Sequence, residues 1–355
     1  MVSQAMGASA RPGQHDGRSG LGGAASTLTF LVCSERSGSN LIRSILNTHP
    51  QIYAPEPIHL AAFWERVPEL GDLRDDDRWA ALLSAIVEFL QQWNGTLHPS
   101  LEFRVDDLLA RIPRREFVAI YEYFYAQGLA ASGKPRLFIK ENHTAQRAGP
   151  LRAHYPGARF VYQVRDPRDF LASCKRMRRF KYGSATGALA VWCADQRAAL
   201  DLQAQLAPEQ VFSGRYETLI HEPERYLEQV CALMGVPFVP QMLEFHRTPD
   251  AQRAAAHEAW RNLGRPIMRD NSGHYAATLT AAEIALVEDH AHELMARLGY
   301  AGSRSPSPNV DGTGLSLPGE GVPHLRRVDD GSSSAFVHRV IDRLVAAADD
   351  RPPSG

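Results

Sequence analysis

Short apolar runs alternate along this chain with longer segments in which apolar residues recur at helical spacing. Four short runs are predicted to be strands: 28–32, 136–139, 159–164 and 211–216. Of these, 159–164 has the composition of a buried strand. Six longer segments are predicted to be helices: 75–93, 113–131, 168–180, 185–205, 223–234 and 280–298. Strands that alternate with helices predict a three-layer α/β domain, in which helices cover both faces of a central, mainly parallel sheet.

The composition changes outside this alternating region and divides the chain further. Residues 1–26 are rich in Gly, Ser and Ala and are predicted to form a disordered leader. The chain later becomes rich in Ser, Pro and Gly, which predicts a flexible linker over 303–334. A short amphipathic helix is predicted at 335–347, either docked on the core or separate from it, before a disordered tail at 348–355. The main domain is therefore expected to span 27–302.

A polar loop separates the first predicted strand from a helix predicted at 41–46. A helix N-terminus presents backbone N–H groups without partners inside the helix, and these carry about half a positive charge. Gly38 lets the backbone approach a ligand, and Arg36 adds a forked cation. Side-chain donors are added by Ser37, Ser39 and Asn40. The loop predicts a phosphate or sulfate site, although a polar turn that binds nothing could have the same composition.

The same loop departs from the P-loop of nucleoside-triphosphate enzymes. That motif has the spacing G-x-x-x-x-G-K-[ST], in which the Lys contacts the terminal phosphates and the hydroxyl group binds Mg²⁺. Here no glycine stands at the required distance before Gly38, and Gly38 is followed by Ser39 rather than by Lys. The pattern therefore does not favour an ATP-dependent kinase.

A second candidate anion site follows the strand predicted at 159–164. Arg165 stands at the carboxyl end of this strand, which is the edge where open α/β sheets bind ligands. Ser173 lies about two turns along the following helix. An Arg fork matches phosphate oxygens, and a serine hydroxyl can complete the site. The alternative is that Arg165 forms an ordinary ion pair with Asp166 or Asp169 at the helix start.

Composition and charge narrow the possible partners. The net charge of the 355-residue chain is −1, so nothing predicts bulk attraction to nucleic acid or to a membrane surface. A local basic run is predicted to be mostly a solvated helix face: Lys175, Arg176, Arg178, Arg179 and Lys181. The cysteines show no metal-ligand spacing, and Cys33 and Cys231 are predicted to be buried thiols. The lack of metal-ligand spacing predicts a protein that binds no metal. Because no apolar stretch is long enough to span a bilayer, the sequence favours a cytoplasmic protein.

Several motifs together resemble the sulfotransferases that use 3′-phosphoadenosine-5′-phosphosulfate, in particular their tyrosylprotein and bacterial branches. The motifs that carry the resemblance are the run 36–43, the pair His49-Pro50, Glu56, the pair Arg165 and Ser173, the segment 215–219 and the loop 269–275. The similarity extends from about Thr29 to Tyr300. It implies the P-loop NTPase-like sulfotransferase fold.

The resemblance also implies roles for residues at the matching positions. Arg36 and Lys140 would flank the transferred group, with Glu56 as the base, while His59 and His143 are rival bases. The loop around the 5′-phosphosulfate would consist of Arg36, Ser37, Gly38, Ser39 and Asn40. The residues implied at the 3′-phosphate and the rest of the nucleotide are Arg165, Ser173, Tyr216, Arg269 and Ser272.

The chain departs from the family pattern at two positions in the first motif. Asn40 stands where a threonine is usual, and its amide can still donate to an oxygen. Leu41 replaces the aromatic residue that stacks on adenine in the aryl branch, so the partner of the adenine ring is unassigned. The lysine and catalytic histidine of that branch are also one residue closer than Lys140 and His143.

The resemblance implies an enzyme that moves a sulfuryl group from this donor to a hydroxyl group of a metabolite, sugar or lipid. The segments 58–114 and 180–187 are predicted to shape the acceptor pocket, but no residue in them identifies the acceptor. The oligomeric state is equally open. The alternatives are an ATP-dependent kinase on a related fold and a non-catalytic nucleotide-binding module.

Overall fold

The computed structural model describes residues 21, 28–92, 97–177, 181–256, 258–302 and 333–349. Its central feature is a sheet of five parallel strands in the order β2-β3-β1-β4-β5. The strands are β1 Leu28–Val32, β2 Ile52–Tyr53, β3 Arg136–Lys140, β4 Arg159–Val164 and β5 Val211–Arg215. All four predicted strands are present. The additional strand β2 is too short to produce a recognisable sequence pattern.

Helices pack on both faces of this sheet, so the predicted three-layer α/β architecture is confirmed. The helices are α1 Ser39–Asn47, α2 Ala61–Trp64, α3 Asp76–Gln92, α4 Val105–Arg111, α5 Phe117–Ser132, α6 Ala148–His154, α7 Pro167–Lys175, α8 Ala185–Ala204, α9 Tyr216–His221, α10 Pro223–Met234, α11 Pro249–Ala255, α12 Tyr275–Thr278, α13 Ala281–His290, α14 His292–Arg297 and α15 Ser333–Asp349.

Most differences from the predicted helices concern their ends. α10 has the predicted bounds, whereas α5 begins later than predicted because Glu116 is extended (φ −136°, ψ 142°). The helix predicted at 280–298 is divided into α13 and α14, because Ala291 leaves helical geometry between them (φ −108°, ψ 8°). α7 ends at Lys175, and positions 178–180 of its predicted extent lie outside the described residues.

Each face of the sheet has its own apolar core, since successive strand residues point to opposite sides. On one side the rings of Phe30 and Phe160 stack with centroids 5.8 Å apart, in a core that includes α3, α5 and α8. On the other side Leu31 and Val161 pack with α1 and α10. Burial on both faces explains why the inner strands β1, β3 and β4 are mostly apolar in sequence.

Two groups of side chains are buried in the domain, and for Cys33 and Cys231 this confirms the prediction. The aromatic residues of α5 belong to the core: Phe117, Tyr121, Phe124 and Tyr125. All four cysteines are buried and free, including Cys33 and Cys231. Across the described ranges, no helix is both long enough and apolar enough to cross a membrane.

The C-terminal helix α15 is docked on the domain. Ile341 is fully buried, and the ring of Phe336 lies 5.3 Å from that of Phe89 in α3. Arg66 adds an ion pair to Asp342 at 2.8 Å. The helix extends beyond the predicted range at both ends. Most of the predicted leader, the linker up to 332 and the tail from 350 lie outside the described residues.

The carboxyl ends of β3, β1 and β4 lie side by side because these strands are parallel neighbours. Their pairing aligns Leu31 with Lys140 and Val32 with Tyr162. Lys140 therefore ends β3 beside the loop that follows β1, and Arg165 leaves β4 at the same edge. The fold thus brings both predicted anion sites and Lys140 to one edge of the sheet.

Candidate active site

The loop after β1 enters α1 through a left-handed glycine. Gly38 has φ +81°, and its carbonyl accepts the N–H of Leu41 at 3.0 Å. A Cβ atom at this position would lie 2.4 Å from Cδ2 of Tyr216, so only glycine fits beneath that ring. Ser39 is buried at the first position of α1, and Asn40 beside it is partly exposed. The first turn of α1 has no acidic residue, which leaves the positive end of its dipole available to an anion.

Two buried glutamines hold this loop on the sheet. Gln163 inside β4 donates to the carbonyl of Ser37 at 2.6 Å and accepts from Tyr226 at 3.0 Å. Gln196 on α8 donates to Oγ of Ser34 at 2.8 Å. The sequence analysis singled out neither glutamine. The available signal for Gln163 is a polar side chain within an apolar strand, because such a group must find a partner when it is buried.

The two predicted anion sites are in direct contact. Nε of Arg36 donates to Oγ of Ser173 at 3.1 Å, and Nη1 of Arg165 donates to the carbonyl of Arg36 at 3.0 Å. The alternative ion pair between Arg165 and Asp166 is not formed, because Asp166 accepts two bonds from the side chain of Arg168.

A late loop is held against α7 by Asp169. The carboxylate accepts the backbone N–H groups of Gly273 at 2.6 Å and Tyr275 at 2.9 Å, so it does not pair with Arg165 either. Nη2 of Arg165 instead donates to the carbonyl of Asn271 at 3.2 Å. The late loop therefore lies next to both anion motifs.

Tyr216 connects the late loop to Arg165. The centre of its ring lies 4.5 Å from the guanidinium carbon of Arg165, which is a cation–π contact. Its hydroxyl accepts from the side-chain amide of Asn271 at 2.7 Å. The structure thus brings the predicted Tyr216 into the site.

The other two predicted residues of the late loop, Arg269 and Ser272, are placed differently. Oγ of Ser272 lies 3.3 Å from Nε2 of His221. Arg165 forms its hydrogen bond in this loop with Asn271 and not with Ser272. Arg269 is exposed and forms no hydrogen bond or ion pair within the described ranges. Asn271, which lies between them in sequence, supplies the contacts to the site. Asn271 lies within the predicted loop motif 269–275, but no role was predicted for it.

Lys140 is buried at the end of β3 and has a neutral partner. Its Nζ donates to Oδ1 of Asn142 at 2.7 Å, and burial lowers its pKa. The nearby carboxylate of Glu35 is paired with Lys181 and lies 3.7 Å from Nε2 of His143. Burial by itself raises the pKa of Glu35, but the charges of Lys181 and His143 hold this pKa below its usual range. No role was predicted for Glu35. Lys181 was predicted to lie in a mostly solvated basic run, whereas its side chain is partly buried and paired with Glu35.

Three cations at this edge have no carboxylate partner in the part of the chain that the structure describes: Arg36, Lys140 and Arg165. Removing a cation from water without a counter-charge is unfavourable. Two buried polar atoms, Oγ of Ser37 and Nε of Arg165, also have no hydrogen-bond partner. These groups fit an anionic ligand of the phosphate or sulfate type.

Glu56, the first candidate base, follows β2 and is 6% exposed. Its Oε1 accepts from Arg253 at 3.1 Å. Arg253 also pairs with Asp250 at 2.8 Å, and Asp250 pairs with Arg43 at 3.0 Å. The carboxylate is therefore part of an ion-pair network that orients it.

The two rival bases have different surroundings. His143 lies against Glu35, whereas Nδ1 of His59 is 4.0 Å from Oε2 of Glu141. Burial, followed by the charge of Lys140, lowers the pKa of His59 to about 3. The imidazole of His59 is therefore neutral at physiological pH.

Glu141 is a buried carboxyl group that the sequence analysis did not single out. Its Oε1 accepts from the hydroxyl of Tyr125 at 2.5 Å. Burial raises the pKa of Glu141 to about 7, although this hydrogen bond and the charge of Lys140 act in the opposite direction. The group therefore titrates near neutral pH.

The fold and these contacts define the class of protein. A parallel α/β sheet with a polar, glycine-containing loop between β1 and a helix N-terminus, and an arginine after β4, is typical of proteins that bind nucleotide phosphates at a sheet edge. Within the described residues, no three His, Cys, Asp or Glu side chains are grouped as metal ligands would be. A family model described as the sulfotransferase family matches residues 29–240. The chain belongs to the sulfotransferase family.

Solved structures and a curated relative are similar to this chain. The sulfotransferase domain from the curacin biosynthetic pathway is 19% identical, with a TM-score of 0.51 over 77% of this chain and 98% of that one. The sulfotransferase domain from the Synechococcus PCC 7002 olefin synthase is 23% identical, with a TM-score of 0.50 over 74% and 94%. Protein-tyrosine sulfotransferase A of Caenorhabditis elegans is 20% identical over 290 residues, 80% of this chain and 70% of that protein. The predicted fold and the distant relationship to tyrosylprotein sulfotransferases are confirmed.

Replacing Glu141 by Gln should change how stability depends on pH. Folding raises the pKa of Glu141 from 4.5 to about 7. The protonated carboxyl group therefore makes its full contribution to stability below pH 4.5, and this contribution is lost as the pH rises to about 7. Over this interval the wild-type protein should lose free energy of unfolding relative to Glu141→Gln, by about 1.4 kcal/mol per pH unit. Urea unfolding at a series of pH values measures the difference. A difference that stays constant with pH would contradict the prediction.

Proposed function

We propose that this protein transfers a sulfuryl group from 3′-phosphoadenosine-5′-phosphosulfate to a hydroxyl group of an acceptor. The observation that carries the proposal is the set of three cations, Arg36, Lys140 and Arg165, without carboxylate partners among the described residues. They lie at one sheet edge. Arg36 and Arg165 belong to the two predicted anion motifs, as a donor with anionic groups at both ends of a nucleoside requires, and Lys140 ends the neighbouring strand β3. Membership of the sulfotransferase family supports the same chemistry.

The two motifs would hold opposite ends of the donor. The phosphosulfate end would be bound by the N–H groups of α1 together with the loop residues Arg36, Ser37, Gly38, Ser39 and Asn40. The 3′-phosphate would be bound by Arg165 and Ser173. Tyr216 packs on Arg165 and would contact the nucleoside. Because Asn271 is bonded to Tyr216, we assign the late-loop contact to Asn271 rather than to Arg269 or Ser272.

The bound donor supplies an activated sulfuryl group, and the protein residues act on the charges that change during transfer. Negative charge grows on the departing phosphate, where the side chains of Arg36 and Lys140 would stabilise it. Two side-chain cations can provide this stabilisation, and we therefore expect no metal requirement. Glu56 would accept the proton that the acceptor hydroxyl loses.

The surroundings of the candidate bases favour Glu56. The lowered pKa of His59 makes its imidazole a weak proton acceptor. Nε2 of His143 lies 3.7 Å from a carboxylate oxygen of Glu35, so the imidazole has a partner that takes no part in the proposed reaction. Glu56 is held in one orientation by Arg253, which suits a residue that must meet a hydroxyl group at a defined position.

The acceptor is proposed to be a small metabolite, a sugar or a lipid that carries a hydroxyl group. The curated relative is named as a sulfotransferase of protein tyrosine, so a simple phenol is a useful first acceptor for assays. Four buried free thiols are compatible with a reducing compartment, and we propose a cytoplasmic location.

The proposed donor site predicts that 3′,5′-bisphosphoadenosine binds without a metal ion. Replacing Arg165 by Ala should weaken this binding by roughly ten- to a hundredfold, because a hydrogen bond to a charged group contributes about 1.5–3 kcal/mol. Isothermal titration calorimetry measures both constants. The matched control Arg247→Ala changes an arginine side chain that is 75% exposed and should leave binding unchanged. Tighter binding of ATP with Mg²⁺ than of the bisphosphate would favour the kinase alternative.

Replacing Arg36 by Ala should lower turnover by roughly a hundredfold or more, because it removes a cation from the developing negative charge. The measurement is transfer of labelled sulfate to a panel of phenols, sugars and lipids. Full activity of Arg36→Ala would show that the assigned role is wrong. A wild-type protein that binds the bisphosphate but transfers no sulfate to any member of the panel would favour the non-catalytic binding module.

The assignment of the base predicts different effects of two substitutions. Glu56→Gln should lower kcat by roughly 10²- to 10⁴-fold, the usual contribution of a general base. His59→Asn should have a much smaller effect, since the ring of His59 accepts a proton weakly. Steady-state kinetics with a saturating donor separates the two. The opposite ranking would transfer the role of base to His59.

A further inference from the structure

The turn after β3 places a side-chain amide against Lys140. Oδ1 of Asn142 accepts from Nζ of Lys140 at 2.7 Å. Glu141, which separates the two residues in sequence, has its carboxyl group bonded to Tyr125 instead. Lys140 therefore has an amide, rather than the adjacent carboxyl group, as its hydrogen-bond partner.

Contacts that do not involve the amide hold this turn in place. Nη1 of Arg147 donates to the backbone carbonyl of Asn142 at 2.7 Å, and Oγ1 of Thr144 donates to the carbonyl of Glu141 at 3.0 Å. Arg147 is buried and is itself ion-paired with Glu65 at 2.9 Å. Because the backbone is held independently, the side chain of Asn142 is available to orient Lys140.

An amide and a carboxylate at this position would have different effects on the lysine. Either group could orient the ammonium through a hydrogen bond, but a carboxylate at 2.7 Å would also offset its positive charge. Glu35, in the loop after β1, is paired with Lys181, although its charge also acts on Lys140 and raises the pKa of the lysine. An amide partner therefore orients Lys140 without using its charge.

We propose that Asn142 is a positioning residue for Lys140, whose amide fixes the ammonium in place and leaves the positive charge available to the departing phosphate. The inference rests on the proposed sulfuryl transfer, in which Lys140 has that role. A lysine side chain has a flexible four-carbon stem, and a stem ordered before the reaction loses less entropy on the way to the transition state.

Two substitutions of Asn142 test this role by kinetics. Asn142→Ala removes the hydrogen bond and should lower kcat by roughly ten- to a hundredfold, because a small displacement of a catalytic group is costly. The affinity for 3′,5′-bisphosphoadenosine should fall less than kcat, and the melting temperature should fall only slightly, because the buried ammonium loses one hydrogen bond while other contacts hold the turn. Asn142→Asp preserves the shape but adds a carboxylate, and kcat should also fall. Asn262→Ala, the same change at an exposed asparagine, should leave kcat unchanged.

The alkaline limb of the pH–rate profile gives a second readout that a purely structural role would not move. The amide oxygen of Asn142 accepts a hydrogen bond from the charged ammonium, so its removal lowers the pKa of Lys140. The limb should therefore shift to lower pH in Asn142→Ala. An added carboxylate raises that pKa, so the limb should shift to higher pH in Asn142→Asp. The other charged neighbours, Glu35, Glu141 and Lys181, are the same in both variants.

The outcomes separate this inference from the proposed function. The positioning role is overturned if Asn142→Ala retains the wild-type kcat, if the affinity for 3′,5′-bisphosphoadenosine falls as far as kcat, or if the alkaline limb is the same in both variants. In each of these cases the wild-type protein still transfers sulfate and the proposed function stands. A wild-type protein without transfer would overturn both.

Discussion

The way in which the guanidinium of Arg165 is held determines the rest of the site. It donates to the backbone carbonyls of Arg36 and Asn271 and packs on the ring of Tyr216. These contacts orient the side chain without neutralising it, since a carbonyl group carries no net charge. They also join the end of β4, the loop after β1 and the late loop. A carboxylate at either carbonyl position would satisfy the cation and remove its affinity for an anion.

The nearby carboxylates are engaged by other groups, and this keeps the cations available. Asp166 accepts from Arg168, Asp169 accepts backbone N–H groups of the late loop, and Glu35 is paired with Lys181. Each carboxylate thus stabilises the structure around the site and leaves Arg36, Lys140 and Arg165 with neutral hydrogen-bond partners. This arrangement lowers the free energy of unfolding of the ligand-free protein, because buried cations lose their hydration without gaining a counter-ion. Binding of an anion would compensate for this loss.

The part of the site around Lys140 is connected to the C-terminal helix. Asn142, Arg147 and Glu65 form a series of polar contacts that leads from Lys140 to the end of α2. Arg66, the next residue along the chain, is ion-paired with α15. The docked helix therefore packs against the segment that anchors the turn after β3. A helix that sequence analysis could only describe as docked or separate is part of the support of the candidate active site.

Local sequence was sufficient to predict four strands and the bounds of α10, because two-sided burial requires continuous apolar runs and helix ends require particular residues. It also predicted that Arg36 and Arg165 lie at the carboxyl edge of the sheet, since they follow β1 and β4 in the sequence. The partner of each charged or polar side chain depends instead on the assembled fold. The bond from Arg36 to Ser173 joins residues 137 positions apart, and the bond from Gln163 to Ser37 joins residues 126 positions apart. Contacts across such distances leave no local pattern, because they exist only once the strands have paired.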